Sequence, residues 1–243
     1  MMNQIINSLY TRKSVRVFTD QPVAQKDKEL ILNAALQAPS AGCQLLYTIL
    51  DITDQDKKER LAVLCDHQPF ISNAPVILIF CADCRKWLTF YKEAGLTPRN
   101  PGPGDLFLAM EDALIAAQNT VTAAQSLGIG SCYIGDIMEN AEDVKALLNI
   151  PKYVYPACML VLGYPTAQQQ ARPKPDRFSL AHIVCKNGYQ DKTSEDIQDM
   201  FSGHTGIQDY QDWMSAFCTR KYESDFSKEM NRSANVYLKD FLL

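Results

Sequence analysis

Apolar residues recur along the chain with periods that separate helices from strands. Across residues 26–37, Leu30, Ile31, Ala34 and Ala35 fall at helical spacing. Pro22 precedes this stretch and Pro39 stops it, because proline donates no N–H and disfavours helix at Ala38. A helix therefore leads into a Pro-Ser-Ala-Gly loop. Residues 45–51 are rich in strand formers, and Thr53 followed by Asp56 predicts an N-cap opening a helix with Leu61, Leu64 and Cys65 on one face. Residues 75–81 are apolar throughout, which predicts a strand covered on both faces and so a sheet sandwiched by helices.

Trp87, Phe90 and Tyr91 form a helical cluster ahead of residues 94–104, where three prolines and three glycines in eleven residues require a loop. Residues 105–127 carry the longest helical signal, apolar nearly all round and ending at Gly128 as a C′ residue. Such a helix belongs in the middle of a core or at a subunit interface. A short strand over 130–134, a helix capped by Asn140 and ending before Pro151, and a buried strand over 157–162 follow. Beyond Tyr189 the chain turns polar with no strand pattern. Its scattered aromatics supply too little core of their own, so this tail is expected to pack over the body or over a second subunit.

Composition narrows the picture. The 243 residues, 47% hydrophobic, suffice for a sizeable core, and the net charge of −4 offers no general basic field for nucleic acid. No charged leader precedes an apolar run and no stretch approaches a membrane span, so a cytoplasmic protein with no membrane partner is expected. The eight cysteines sit mostly in apolar runs of a chain too large to need disulfide staples, and reduced thiols are expected. Cys81-x-x-Cys84 lacks the second pair that a zinc or iron–sulfur site needs, and His67, His182 and His204 lie at no ligand-like spacing, so no metal is expected.

Chemistry enters with cations. Arg12, Lys13, Ser14 and Arg16 put three positive charges and a hydroxyl into five residues. A second cluster, 172–177, follows the last strand, and the small residues at 38–42 let backbone amides approach a ligand. Two separated basic clusters in an acidic chain point to one bound anion.

At this point the residues resemble the nitroreductase family, from about Gln4 to Gln190. The motifs are RKSVRVFTDQPV (12–23), APSAG (38–42), AAQSLGIGSCYIGD (123–136), LVLGYP (160–165) and RPKPDR (172–177), and their order and spacing carry the resemblance. The larger flavin-reductase-like branch is most similar, because the second basic cluster follows LVLGYP and a long tail succeeds it. The resemblance implies an α+β fold, a mostly antiparallel central sheet flanked by helices, in an intertwined homodimer with FMN at each of two interface sites. Residues 1–190 would form the FMN-binding domain and 191–243 a helical extension.

Residue by residue, the resemblance makes Arg12 and Ser14, with Lys13 alongside, phosphate and ribityl contacts. It sets Arg16 against the pyrimidine edge, where a cation stabilises the reduced flavin. Lys174 and Arg177 match the family's second phosphate pair, although their spacing is one residue longer than in the closest branch, so that Arg172 can stand in for Arg177. Ser40 and Gln68 match side chains that bond the flavin, and Tyr133, Ile134, Gly135 and Asp136 match the turn whose N–H groups face N5. Cys43 and Leu45 depart from the family's Asn and Gln after the small-residue loop. The implied activity is hydride transfer from NADH or NADPH through FMN to nitroaromatics, quinones or free flavins in a ping-pong sequence. No protein nucleophile is needed, and the acceptor is chosen by pocket shape. The alternatives are dehalogenation or flavin fragmentation on the same scaffold, or a non-catalytic flavin-binding module. Between Phe201 and Trp213 only His204 offers a cationic group for a nucleotide 2′-phosphate, so a preference for NADPH does not follow and the choice between NADH and NADPH stays open.

Overall fold

The computed structural model describes residues 3–202 and 209–242. His204 lies outside the described residues. Four antiparallel strands, β1 (Tyr47–Ile52), β2 (Val76–Asp83), β3 (Gly130–Ile134) and β4 (Val154–Gly163), form one sheet in the order β1-β2-β4-β3. The central strands β2 and β4 are buried along their whole length. The pleat divides β2 between two cores. Ile77, Ile79 and Cys81 face α3 (Gln55–Leu64), α4 (Pro69–Ser72) and α7 (Ala141–Leu148). Val76, Leu78 and Phe80 face α2 (Gln25–Leu36) and α6 (Pro103–Ser126). The sandwich expected from the apolar run at 75–81 is therefore present, and α6 lies close on the sheet through Ala113, Ala116, Ala117 and Ala124.

Several boundaries depart from the sequence reading for identifiable reasons. The long helix starts at Pro103, two residues earlier than expected. Proline suits the first helical turn, and the Asp105 carboxylate accepts the Gly102 N–H at 2.8 Å. Asp54, not Thr53, caps α3, its Oδ1 accepting from Lys57 N at 3.0 Å. Asn140 stands before α7 in the left-handed region (φ 49°) and gives no side-chain cap; its amide donates instead to Leu64 O at 2.8 Å. The last strand is longer than expected and includes Pro156, opposite Cys81. Proline cannot donate to a ladder, and the pairing shifts register between Phe80 and Cys81 at that point.

The chain divides into two compact units. One runs through Pro173 and resumes at Glu229; the other spans Lys174–Lys228. In the first, the returning end of α12 (Asp225–Leu238) brings Tyr237 and Phe241 into a third core cluster with Leu46, Ala82, Leu106 and Tyr155. Arg232 fastens this helix to α7, bonding both oxygens of Glu142 at 2.9 and 2.8 Å while also bonding Glu229. Glu229 in turn accepts from Asn140 N and from the Ser233 hydroxyl. The second unit holds a run of aromatic contacts, Phe178 to Phe201 to Trp213 to Phe217, and an imidazole–carboxylate contact of 2.8 Å between His182 and Asp199. Among the described residues no helix is long and apolar enough to cross a membrane.

Candidate functional site

The segment after α1 (Gln4–Thr11) runs along the outer edge of β3. Ser14 bridges Ser131 in parallel, and Val15 N donates to Ser131 O at 2.9 Å. The contact is close because position 130 is glycine: a Cβ there would meet a Val15 methyl at 2.6 Å. Farther along, Arg16 N donates to Gln169 Oε1 at 3.1 Å, Thr166 N donates to Val17 O, and Thr19 N donates to Tyr164 O. These bonds lay the cationic segment between β3 and α8 (Ala167–Ala171), in line with the turn that follows β3.

Within this frame the candidate residues separate by what they touch. Arg12 is half-buried, and its Nη1 is enclosed with no hydrogen-bond partner among the described residues. Ser14 bonds the Cys132 thiol. Burial pushes that thiol up, while the charges of Arg16 and Arg12 and the Ser14 hydrogen bond oppose the shift. The Arg16 residue is exposed. The Lys13 ammonium is committed to the backbone, donating to Gln170 O at 2.6 Å and to Arg172 O.

Gln68 and Asp136, 68 positions apart, meet: the Gln68 amide donates to Asp136 Oδ1 at 3.1 Å and to Cys65 O at 2.8 Å. The Tyr133 hydroxyl donates to Gln118 Oε1 at 3.3 Å, Ile134 is buried in the sheet core, and Gly135 is exposed at the head of the turn. Lys174 and Arg177 lie in the second unit, where Arg177 Nη1 donates to the carbonyls of Pro175 and Asp176. Beside the turn, Glu139 is buried at 5% exposure. Its carboxyl is pushed up to about 7 by burial and by Asp136, Asp66 and Glu229.

The sign of the Glu139 shift fixes a pH dependence. A carboxyl that the fold holds above its usual value opposes ionisation, so stability falls as pH rises from the usual carboxylate range through about 7. Glu139→Gln is expected to melt with the parent at pH 5 and about 3 °C above it at pH 8, the response of a chain this size to roughly 1 kcal/mol. Equal melting temperatures at both pH values would remove the argument.

Ser40 belongs to a separate element. Its Oγ accepts from Leu45 N at 2.8 Å, across a loop in which Gly42, Cys43 and Leu45 all take positive φ. Asp112, on α6 and 3% exposed, accepts from Ala41 N at 2.9 Å and Leu46 N at 3.0 Å. Lys86 donates to Tyr47 O at 2.6 Å and Trp87 Nε1 to Gln44 O at 2.8 Å. Gln44, Trp87 and Tyr91 line a cavity of about 310 Å³ together with Pro98 and Pro101 of the Pro/Gly loop. The sequence reading passed over Asp112, although an acid next to Ala109, Ala113 and Ala116 on an apolar helical face is a readable signal. Nothing comparable marks Gln169. Cys81 and Cys84 are free, and burial pushes both thiols up to about 12, which is unlike a reactive thiol pair.

The sequence profile described as the Nitroreductase family matches residues 9–164. An FMN reductase [NAD(P)H] of Bacillus subtilis is 30% identical over 239 residues, covering 97% of this chain and 91% of that protein. An oxygen-insensitive NADPH nitroreductase of Salmonella typhimurium is 35% identical over 189 residues, 78% and 76% of the two chains. The solved structure of an NADPH:FMN oxidoreductase from Vibrio harveyi, complexed with NAD+, superposes with a TM-score of 0.83 at 27% identity, covering 97% of this chain and 98% of that one. With its α+β sandwich and the matched motifs along β3, the chain belongs to the nitroreductase family and is an oxidoreductase.

Proposed function

We propose that the chain holds FMN along the outer edge of β3 and uses NADH or NADPH to reduce small electron-poor acceptors such as nitroaromatics, quinones or free flavins. The observation that carries this reading is Arg12, whose enclosed Nη1 has no hydrogen-bond partner among the described residues. A buried donor left unpaired is costly, and a guanidinium beside the Ser14 hydroxyl suits a phosphate oxygen. The names of the relatives support the cofactor pair. When bound, FMN would supply the hydride chemistry between nucleotide and acceptor, in ping-pong order.

The chain's own residues bind and orient. Arg12 and Ser14 hold the phosphate end, and the exposed Arg16 sets positive charge against the pyrimidine edge. The family resemblance implies Lys174 and Arg177 as a phosphate-binding pair, with Arg172 the stand-in for Arg177. Gln68 is held by Asp136 next to the turn at Gly135, whose backbone N–H groups suit the flavin's N5 edge. Ser40 serves from the loop secured by Asp112.

Exposed apolar side chains on α1 (Ile5, Leu9, Tyr10) and α6 (Phe107, Leu108, Leu114, Ile115) support a homodimer that covers both helices. The test is the visible spectrum of the purified protein, followed by anaerobic addition of each nucleotide. A bound flavin that bleaches within seconds is expected. A chain that neither carries nor takes up FMN ends the proposal, and a flavin whose colour persists makes the protein a binding module instead.

A further inference from the structure

We infer that Lys13 is a positioning residue of the FMN site, acting through the backbone at the exit of α8 and not through the phosphate; this rests on the function proposed above. The ammonium has three N–H donors and no acceptor. Two of them are engaged with Gln170 O, in the last turn of α8, and Arg172 O, at its C-cap, carbonyls that a helix end leaves without an intrahelical partner. A lysine 157 positions away in sequence thus supplies the C-terminal cap of a five-residue helix too short to hold itself.

That helix is bound to the same segment on its other side. Gln169, 8% exposed, accepts from Arg16 N, and the Thr166 hydroxyl caps the helix start by accepting from Gln169 N. Lys13 and Gln169 are therefore the two ends of one clamp between the first cationic segment and the stretch that carries Arg172. Arg12, the neighbour of Lys13, keeps its enclosed Nη1 available. The division of labour follows from geometry: Arg12 faces the ligand, whereas Lys13 fixes the chain from which Arg172 is presented.

Three measurements on Lys13→Met, which keeps the aliphatic stem, and on Lys13→Arg, which keeps two donors for two carbonyls, test this. Apoprotein hydrogen exchange across residues 167–173 is expected to speed up in Lys13→Met and to stay near parental in Lys13→Arg. The FMN Kd of Lys13→Met is expected to rise about 10-fold, with the riboflavin Kd changed less than about 2-fold, because only the phosphate end is misplaced. Weakened FMN binding with unchanged exchange at 167–173 identifies a direct phosphate ligand and overturns the inference. Faster exchange with both flavins unaffected, or both weakened equally, reduces Lys13 to a stability residue and overturns it too. Should Lys13→Met fail to fold, a 10-fold loss of FMN affinity in Lys13→Arg with unchanged exchange has the same force. Parental protein that binds neither flavin ends the functional reading itself, which keeps the two failures distinct.

Discussion

Arg12→Met is expected to leave the FMN-free protein at least as stable as the parent while raising the FMN Kd about 100-fold. Both halves come from one atom. Among the described residues nothing bonds the enclosed Arg12 Nη1, a state worth roughly 1–3 kcal/mol of lost solvation. Methionine fills similar space without a polar group to desolvate, so its apoprotein should melt at the same temperature or a few degrees higher. With ligand present the balance reverses, because a charge-assisted bond to a phosphate oxygen contributes about 1.5–3 kcal/mol, or roughly 10- to 100-fold in affinity.

The consequence is measurable without turnover. At FMN 100 times the parental Kd, the parent gains about 2.7 kcal/mol of stability, while a variant with Kd raised 100-fold gains only about 0.4 kcal/mol. Thermal melts with and without FMN read both halves in one experiment. An apoprotein that melts well below the parent, or a variant with parental FMN affinity, would falsify the role given to Arg12.

Asp112→Leu is expected to destabilise the protein by about 3 kcal/mol and to loosen the loop that carries Ser40. The carboxylate is the acceptor for two backbone N–H groups, Ala41 and Leu46, and is buried with them against α6. Its removal leaves both amides without their acceptor. Each unsatisfied buried donor costs about 1–3 kcal/mol, which the added apolar contact only partly offsets. For a chain of this length that is a fall in melting temperature of roughly 6–12 °C. Asp112→Asn keeps the shape but has only one acceptor oxygen, so it should retain one amide bond and lose about half as much. Lys86 and Trp87 also hold this loop by its carbonyls, at Leu45, Tyr47 and Gln44, so it should stay attached while its amides exchange faster. Urea melts and hydrogen exchange at residues 41–46 are the checks. Unchanged exchange there would show that α6 does not set the loop.

Much of the architecture is written in hydrophobic period. The all-apolar run at β2, the Ala-rich face of α6 and the Pro39 stop after α2 each follow from local rules, because a strand buried on both faces and a helix apolar nearly all round have few ways to satisfy their surfaces. Cap identities were less readable. Thr53, Asp54 and Asn140 all favour caps, and which one serves depends on whether a distant acceptor such as Leu64 O competes for the side chain. Pro156 likewise signals that β4 pairs irregularly, but only the register shows that the extra residue is Ala157, opposite the step between Phe80 and Cys81.

The cationic motif at 12–16 could be found from composition alone, but the distinct tasks of its members could not. Arg12 and Lys13 are adjacent and chemically alike, and only tertiary structure separates them. The edge of β3 and the end of α8 arrive from more than a hundred residues downstream; Arg12 Nη1 ends enclosed with no partner among the described residues, while the neighbouring ammonium gains two carbonyls to cap. Local sequence determines which elements form, because propensity and period act over a few residues. Which polar group is satisfied within the chain, and which is left for a ligand, depends on contacts between segments that local patterns do not encode.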